Sequence, residues 1–132
     1  MKLLTRDTDY ALRALCYIGK QKKGLTCVTE LVSALKIPRP FLRKILQVLN
    51  KKGLLVSYRG KGGGFALAKK PHQILLTDLM CAFQGVFSLN ECYFKKHICL
   101  HTRRCKVRKV LKKIEGYAFN QLQSISIASL IE

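Results

Sequence analysis

Three cysteines, Cys92, Cys99 and Cys105, stand in one short stretch with the spacing C-x6-C-x5-C. Thiolates are soft ligands that bind iron–sulfur clusters and zinc alike. Three of them on one loop hold either, provided a fourth ligand comes from elsewhere. His97 and His101 lie in the same stretch, so Cys92, Cys99, His101 and Cys105 could form a closed Cys3His zinc site. Paired zinc ligands usually stand roughly two to four residues apart. The wider intervals here favour an iron–sulfur cluster, with zinc as the alternative. Lys95, Lys96, Arg103, Arg104 and Lys106 surround the thiols with positive charge that would offset an anionic centre. Of the other cysteines, Cys16 and Cys81 read as core residues, and Cys27 carries no assignment.

The charge of the chain is lopsided. In 132 residues, 25 Lys and Arg face 7 Asp and Glu, for a net charge of +18. Such a field draws polyanions, nucleic acid first among them. Enzyme chemistry finds little support: there is no Gly-x-Ser-x-Gly or His-Glu-x-x-His, and few carboxylates for acid–base work. No small-molecule substrate is implied. No apolar run approaches the ~20 residues that cross a bilayer. Arg6, Asp7, Asp9 and Arg13 interrupt any signal-peptide core. The expectation is a cytoplasmic protein without membrane partners, where thiols stay reduced.

The elements that would position these groups are legible from periodicity. A first helix is expected from Asp7 or Thr8 to Lys20, with Leu12, Leu15, Cys16 and Gly19 on one face. Thr26 reads as the N-cap of a short second helix, Val28 to Leu35. Two prolines in Ile37-Pro38-Arg39-Pro40 make a turn and open a third helix, about Pro40 to Lys52. Leu42, Ile45, Leu46 and Leu49 form its apolar stripe. Arg43, Lys44, Gln47, Asn50 and Lys51 lie opposite, and Gly53 ends it in a left-handed cap. Residues 54–58 and 65–68 read as strands of a hairpin around Arg59-Gly60-Lys61-Gly62-Gly63-Gly64. A short helix follows, Thr77 to about Phe83. Residues 85–105 look irregular. A long helix runs from near Cys105 to about Leu122 with a seam of Val107, Leu111, Ile114, Ala118 and Leu122. Residues 125–131 would dock a short final segment.

Helix, short helix, turn, longer helix and glycine-tipped hairpin make a winged helix-turn-helix. The fold class expected is mainly α with a small β-hairpin wing, followed by a long C-terminal dimerisation helix. Residues 1–83 would form the DNA-binding domain, and residues 84–132 the cysteine loop and dimerisation helix. The major groove admits one helix, and residues near its N-terminus meet base edges. Arg39, Pro40, Arg43 and Lys44 hold those positions. On the hairpin, Tyr58, Arg59 and Lys61 are candidate contacts. Gly62, Gly63 and Gly64 would either let backbone approach phosphates or supply a tight turn. The partner would be a double-stranded DNA operator.

These residues resemble the IscR, NsrR and CymR group of bacterial winged-helix regulators over nearly the whole chain. Thr8-Asp9-Tyr10-Ala11-Leu12-Arg13 is similar to that family's opening helix motif. Ile37 to Leu42 is similar to the approach to its recognition helix. Lys52-Gly53-Leu54 with Arg59 to Phe65 resembles its wing, the most specific motif present, and Ile125 to Leu130 resembles its ending. Cys92, Cys99 and Cys105 align with the cysteines of the iron–sulfur members. The resemblance implies a homodimer on a near-palindromic operator, most simply a repressor, with half-sites about one turn apart (~34 Å). It implies a cluster, 2Fe–2S or 4Fe–4S, beside the long helix. That cluster would sense iron–sulfur status, nitric oxide or redox poise and set the angle between two DNA-binding heads.

In IscR-type members a histidine ligand follows the last cysteine by three residues; here that position is Arg108. NsrR-type members use an aspartate of the opening helix from the other subunit, and Asp9 occupies the matching place. Asp9 is therefore the first candidate for the fourth ligand, with His97 and His101 as the others. The competing expectations are a zinc-stabilised winged-helix protein and a cofactor-free basic nucleic-acid binder.

Overall fold

A computed structural model describes residues 3–22, 24–88 and 105–131. Helix α1 (Arg6–Lys20) opens on Thr5, whose side-chain oxygen accepts the Thr8 N–H at 3.4 Å. Asp7 and Asp9 in its first turn and Lys20 in its last complement the helix dipole. The buried stripe is Ala11, Ala14, Leu15 and Ile18, not the Leu12–Leu15–Cys16–Gly19 face expected from sequence. Leu12 and Cys16 only flank the core. The reason is packing from several sides: α1 is central, and small alanines let its neighbours approach closely. Even Gly19 lies against the side chains of Leu67, Ile127 and Ile131.

Helix α2 (Val28–Leu35) is capped by Cys27, without a side-chain hydrogen bond. Thr26 therefore does not cap it. Instead Thr26 pairs with Phe65 in an antiparallel bridge, Thr26 N–H to Phe65 O at 2.9 Å and the reverse bond at 2.8 Å. It is fully buried, and its hydroxyl oxygen has no partner among the described atoms. The pull of the hairpin outweighs the local capping preference. Tyr17 of α1 donates from its hydroxyl to Glu30 at 3.0 Å, tying α1 to α2. Lys36 ends α2 in the left-handed region (φ 55°).

Helix α3 (Arg39–Lys51) buries the expected Leu42, Ile45, Leu46 and Leu49. Its end is a Schellman motif. The Leu54 N–H donates to Leu49 O at 2.9 Å and the Gly53 N–H to Asn50 O at 3.1 Å, with Gly53 at φ 77°. Strands β1 (Leu55–Tyr58) and β2 (Gly64–Leu67) follow, pairing Leu55 with Leu67 and Tyr58 with Gly64.

A 3-10 turn at Pro71–Gln73 leads into α4 (Leu76–Gln84), where Asp78 accepts the Leu75 N–H at 3.0 Å. Helix α5 (Lys106–Gln123) and helix α6 (Ile127–Ile131) complete the chain. The last segment returns to the first. Leu76 N–H donates to Ile125 O and Ile127 N–H to Ile74 O, each at 2.9 Å. Ile127 is fully buried in the same core as Ala11, Leu42 and Leu55. Its burial stabilises the docked end by about 1.5–3 kcal/mol.

Candidate nucleic-acid interface and cysteine site

The periodicity that buries one face of α3 leaves Arg39, Pro40, Arg43, Lys44, Gln47, Asn50 and Lys51 exposed together. No acidic residue occurs between Glu30 and Asp78, while ten Lys and Arg do. The turn after α2, α3 and the hairpin thus carry a positive field without acids, which attracts a phosphate backbone. Arg39 is partly engaged: its guanidinium donates to the Thr29 hydroxyl at 3.2 Å, bracing the turn between α2 and α3.

Tyr58, Arg59 and Lys61 are exposed at the hairpin. Its glycines each meet a local requirement. Gly60 and Gly62 have positive φ, 95° and 78°. A β-carbon on Gly63 would collide with the Tyr58 carbonyl oxygen, and one on Gly64 would lie 2.5 Å from Thr26 O. Gly64 is thus the point where the hairpin closes onto the Thr26 segment. That clamp fixes the wing to the helical body, and nothing in the local sequence announces it.

One aromatic contact beside α3 also escapes sequence reading, while a second lies within α1 at i,i+4. The Arg6 guanidinium lies 4.8 Å from the Phe41 ring centroid and 5.9 Å from that of Tyr10. Only the fold brings the first residue of α1 to the start of α3.

The seam expected on α5 divides in two. Leu111, Ala118 and Leu122 turn toward the body of the chain, and Phe119 meets Phe87 with ring centroids 5.9 Å apart. Val107 and Ile114 turn outward with Val110 and Tyr117, all four between 50% and 69% exposed. Their 3-4-3 spacing is that of a helix–helix seam. Val110 and Tyr117 were not singled out from the sequence. The periodicity contained them, but it could not separate an inner from an outer stripe.

Among the cysteines, Cys16 is half-buried, and burial pushes its thiol up while the nearby Lys20 charge pulls it partly back. Cys81 is exposed, as is Cys27, so the expectation of a core Cys81 is corrected. It lies on the outer side of α4, whose buried residues are Leu76, Thr77, Leu79 and Met80. Cys105 is the N-cap of α5 and half-buried. Cys92, Cys99, His97 and His101 lie outside the described residues, as do Lys95, Lys96, Arg103 and Arg104. Among the described residues, no three His, Cys, Asp or Glu side chains come together. Asp9 accepts a 3.0 Å ion pair from Arg13 and stays partly exposed, so its carboxylate is open to a neighbouring molecule.

Of the three thiols, Cys105 is the one among the described residues, and its surroundings suit a negative group. Cys105 sits at the positive end of α5, whose first turn holds Lys106, Arg108 and Lys109 and no acid. A negative group seated at that helix end would be favoured by the dipole and by the charges of Lys106 and Lys109.

Residues 4–132 match the Rrf2 family, described as iron-dependent transcriptional regulators. The chain belongs to the Rrf2 family. An HTH-type transcriptional regulator of Aquifex aeolicus is 39% identical over 90 residues, 68% of this chain and 62% of that protein's length. The HTH-type transcriptional regulator NsrR of Oceanobacillus iheyensis is 32% identical over 131 residues, 98% of this chain and 89% of that one. In three dimensions the chain is similar to CymR, the global cysteine regulator of B. subtilis. The TM-score is 0.84 at 21% identity, covering 99% of this chain and 97% of that one. The mainly helical fold with one hairpin wing is that of a winged-helix regulator. As a member of the Rrf2 family, the chain is a transcriptional regulator. No helix among the described residues is long and apolar enough to cross a membrane.

Proposed function

We propose that this Rrf2-family chain is a sequence-specific DNA-binding repressor, active as a homodimer. Its operator affinity would follow the state of an iron–sulfur cluster held by Cys92, Cys99 and Cys105. The observation that carries the DNA reading is the exposed basic face of α3 beside a wing with exposed Arg59 and Lys61, in a stretch without acids. Arg43 and Lys44 would read base edges. Arg is suited to bidentate contact with guanine, worth about 1–3 kcal/mol of discrimination. Arg59 and Lys61 would meet the backbone or a narrow minor groove, with Tyr58 beside them. The exposed stripe on α5 supports a second copy packed along it.

When bound, the cluster supplies an anionic centre whose charge and integrity depend on iron, oxidants and nitric oxide. Cys105 would anchor it at the start of α5. Asp9 of the partner subunit is the proposed fourth ligand, since its carboxylate is accessible and the opening helix motif resembles that of NsrR-type members. The chain's own residues then carry the signal. Whatever holds Cys105 holds the first turn of α5. Helix α5 packs on α4, α4 on α1, and α1 on α3. A change at one end of this stack can tilt the recognition helix at the other, because packed helices shift as rigid pieces.

The test is anaerobic purification followed by visible absorbance and iron and zinc analysis, in the wild type and Cys99→Ala, with operator protection measured on both. A coloured iron-loaded wild type, a colourless variant and altered protection of one palindromic site are expected. Zinc without colour, or unchanged protection in the variant, overturns the sensing role. Absence of any protected site overturns the DNA reading itself.

A further inference from the structure

We propose that Arg6 is a DNA-backbone contact, held against the flank of the recognition helix by the Phe41 ring. The inference rests on the DNA reading above and adds a residue from α1 to the interface. Arg6 is the first residue of α1, far in sequence from the helix-turn-helix. Its guanidinium stacks 4.8 Å from the centroid of Phe41, the third residue of α3, with Tyr10 at 5.9 Å completing the platform. The Arg6 side chain is 60% exposed and Phe41 41% exposed. The stack therefore sits in solvent at the surface, not in the core.

Position decides the role. The exposed face of α3 centres on Pro40, Arg43, Lys44 and Gln47, while Leu42, Ile45, Leu46 and Leu49 are buried. At about 100° per residue, Phe41 stands on the border between these two faces, next to Lys44 at i+3. A helix is about 10–12 Å across and the major groove about 12 Å wide. Residues at the centre of the exposed face then meet base edges. Those on its border face the groove walls, which are phosphates.

A guanidinium held over an aromatic face by its charge keeps the N–H donors that point away from the ring available to another partner. The ring also removes much of the side-chain freedom that a free arginine would lose on binding. Among the described residues, the carboxylate paired with it is Asp7, 3.5 Å away and itself exposed. Such a surface pair is weak and easily exchanged for a phosphate.

The experiment measures duplex affinity against salt by fluorescence anisotropy for wild type, Arg6→Gln and Arg6→Lys, on the operator and on a scrambled duplex. Circular dichroism checks that each variant keeps its fold. Arg6→Gln is expected to weaken both duplexes by the same factor. It should reduce the slope of log K against log salt by about 0.9 per protomer, about 1.8 for a dimer. Arg6→Lys should keep most of the slope, because the charge remains, yet bind more weakly, because the stack is lost. If Arg6→Gln leaves the slope of a salt-sensitive wild type unchanged, Arg6 is only a staple between α1 and α3 and the inference fails while the DNA reading stands. If the wild type binds neither duplex in a salt-dependent way, both fall.

Discussion

Replacing Gly64 by alanine tests whether the wing is clamped to the helical body through Thr26. The added β-carbon would lie 2.5 Å from Thr26 O, 2.8 Å from Thr26 C and 3.0 Å from Cys27 N. All three are backbone atoms, so no side chain can swing aside. The two segments must separate, and the Thr26–Phe65 hydrogen bonds at 2.9 and 2.8 Å lengthen or break. Each such bond contributes about 0.5–1.5 kcal/mol net, and a buried group left unpaired costs about 1–3 kcal/mol. Thr26 is fully buried, so water cannot replace both bonds without opening the site. A loss of about 2–4 kcal/mol follows. Urea unfolding at fixed protein concentration reads it as a midpoint lowered by about 1–2 M, for a slope near 2 kcal/mol per molar. Two controls bracket it. Gly62→Ala meets open space but a φ of 78°, and should cost about 1 kcal/mol. Gly116→Ala, in open space on α5, should gain about 0.5–1 kcal/mol. A Gly64→Ala loss under about 1 kcal/mol, with the Thr26 and Phe65 amides still protected from exchange, would refute the clamp.

Ile114→Asp places a charge in the middle of the outward stripe of α5 and is expected to shift the proposed dimer to monomer in sedimentation equilibrium; a dimer mass unchanged by the substitution removes that stripe as the seam. Lys36→Gly relieves a left-handed lysine at φ 55° and should stabilise by about 0.5–1 kcal/mol; a neutral or destabilising result in urea melts contradicts the strain argument. The hydrogen bond to Glu30, then burial and the Glu30 charge, push the Tyr17 phenol above its ordinary 10.0. A raised value in the folded state means that this stabilisation is complete below about pH 10 and is lost as pH rises through the folded value. Tyr17→Phe should therefore flatten the alkaline decline in stability, and matching slopes in the two proteins would dismiss the bond.

Much of this protein was written in its residue order. The stripe Leu42–Ile45–Leu46–Leu49 is a 3.6-residue period that can bury only one way, so α3 and its exposed basic face followed directly. Gly53 after the last periodic residue announced the left-handed cap, and two short runs around a glycine tip announced the wing. The thiolate spacing and the +18 charge were equally plain, because they are counts and intervals, not positions in space.

The tertiary structure decided what depends on neighbours distant in sequence. It made Ala11 and Ala14 the centre of the core, because α1 is packed from several sides and small side chains allow that. It turned Thr26 from an apparent cap into a partner for Phe65, since two backbone bonds outweigh one local side-chain bond. It split the α5 seam into a stripe against its own body and a stripe facing outward, which one period along one helix cannot distinguish. It also carried Arg6 across to Phe41. Periodicity fixes which face of a helix is apolar, but only the packing of the other elements fixes what that face, and its border, will touch.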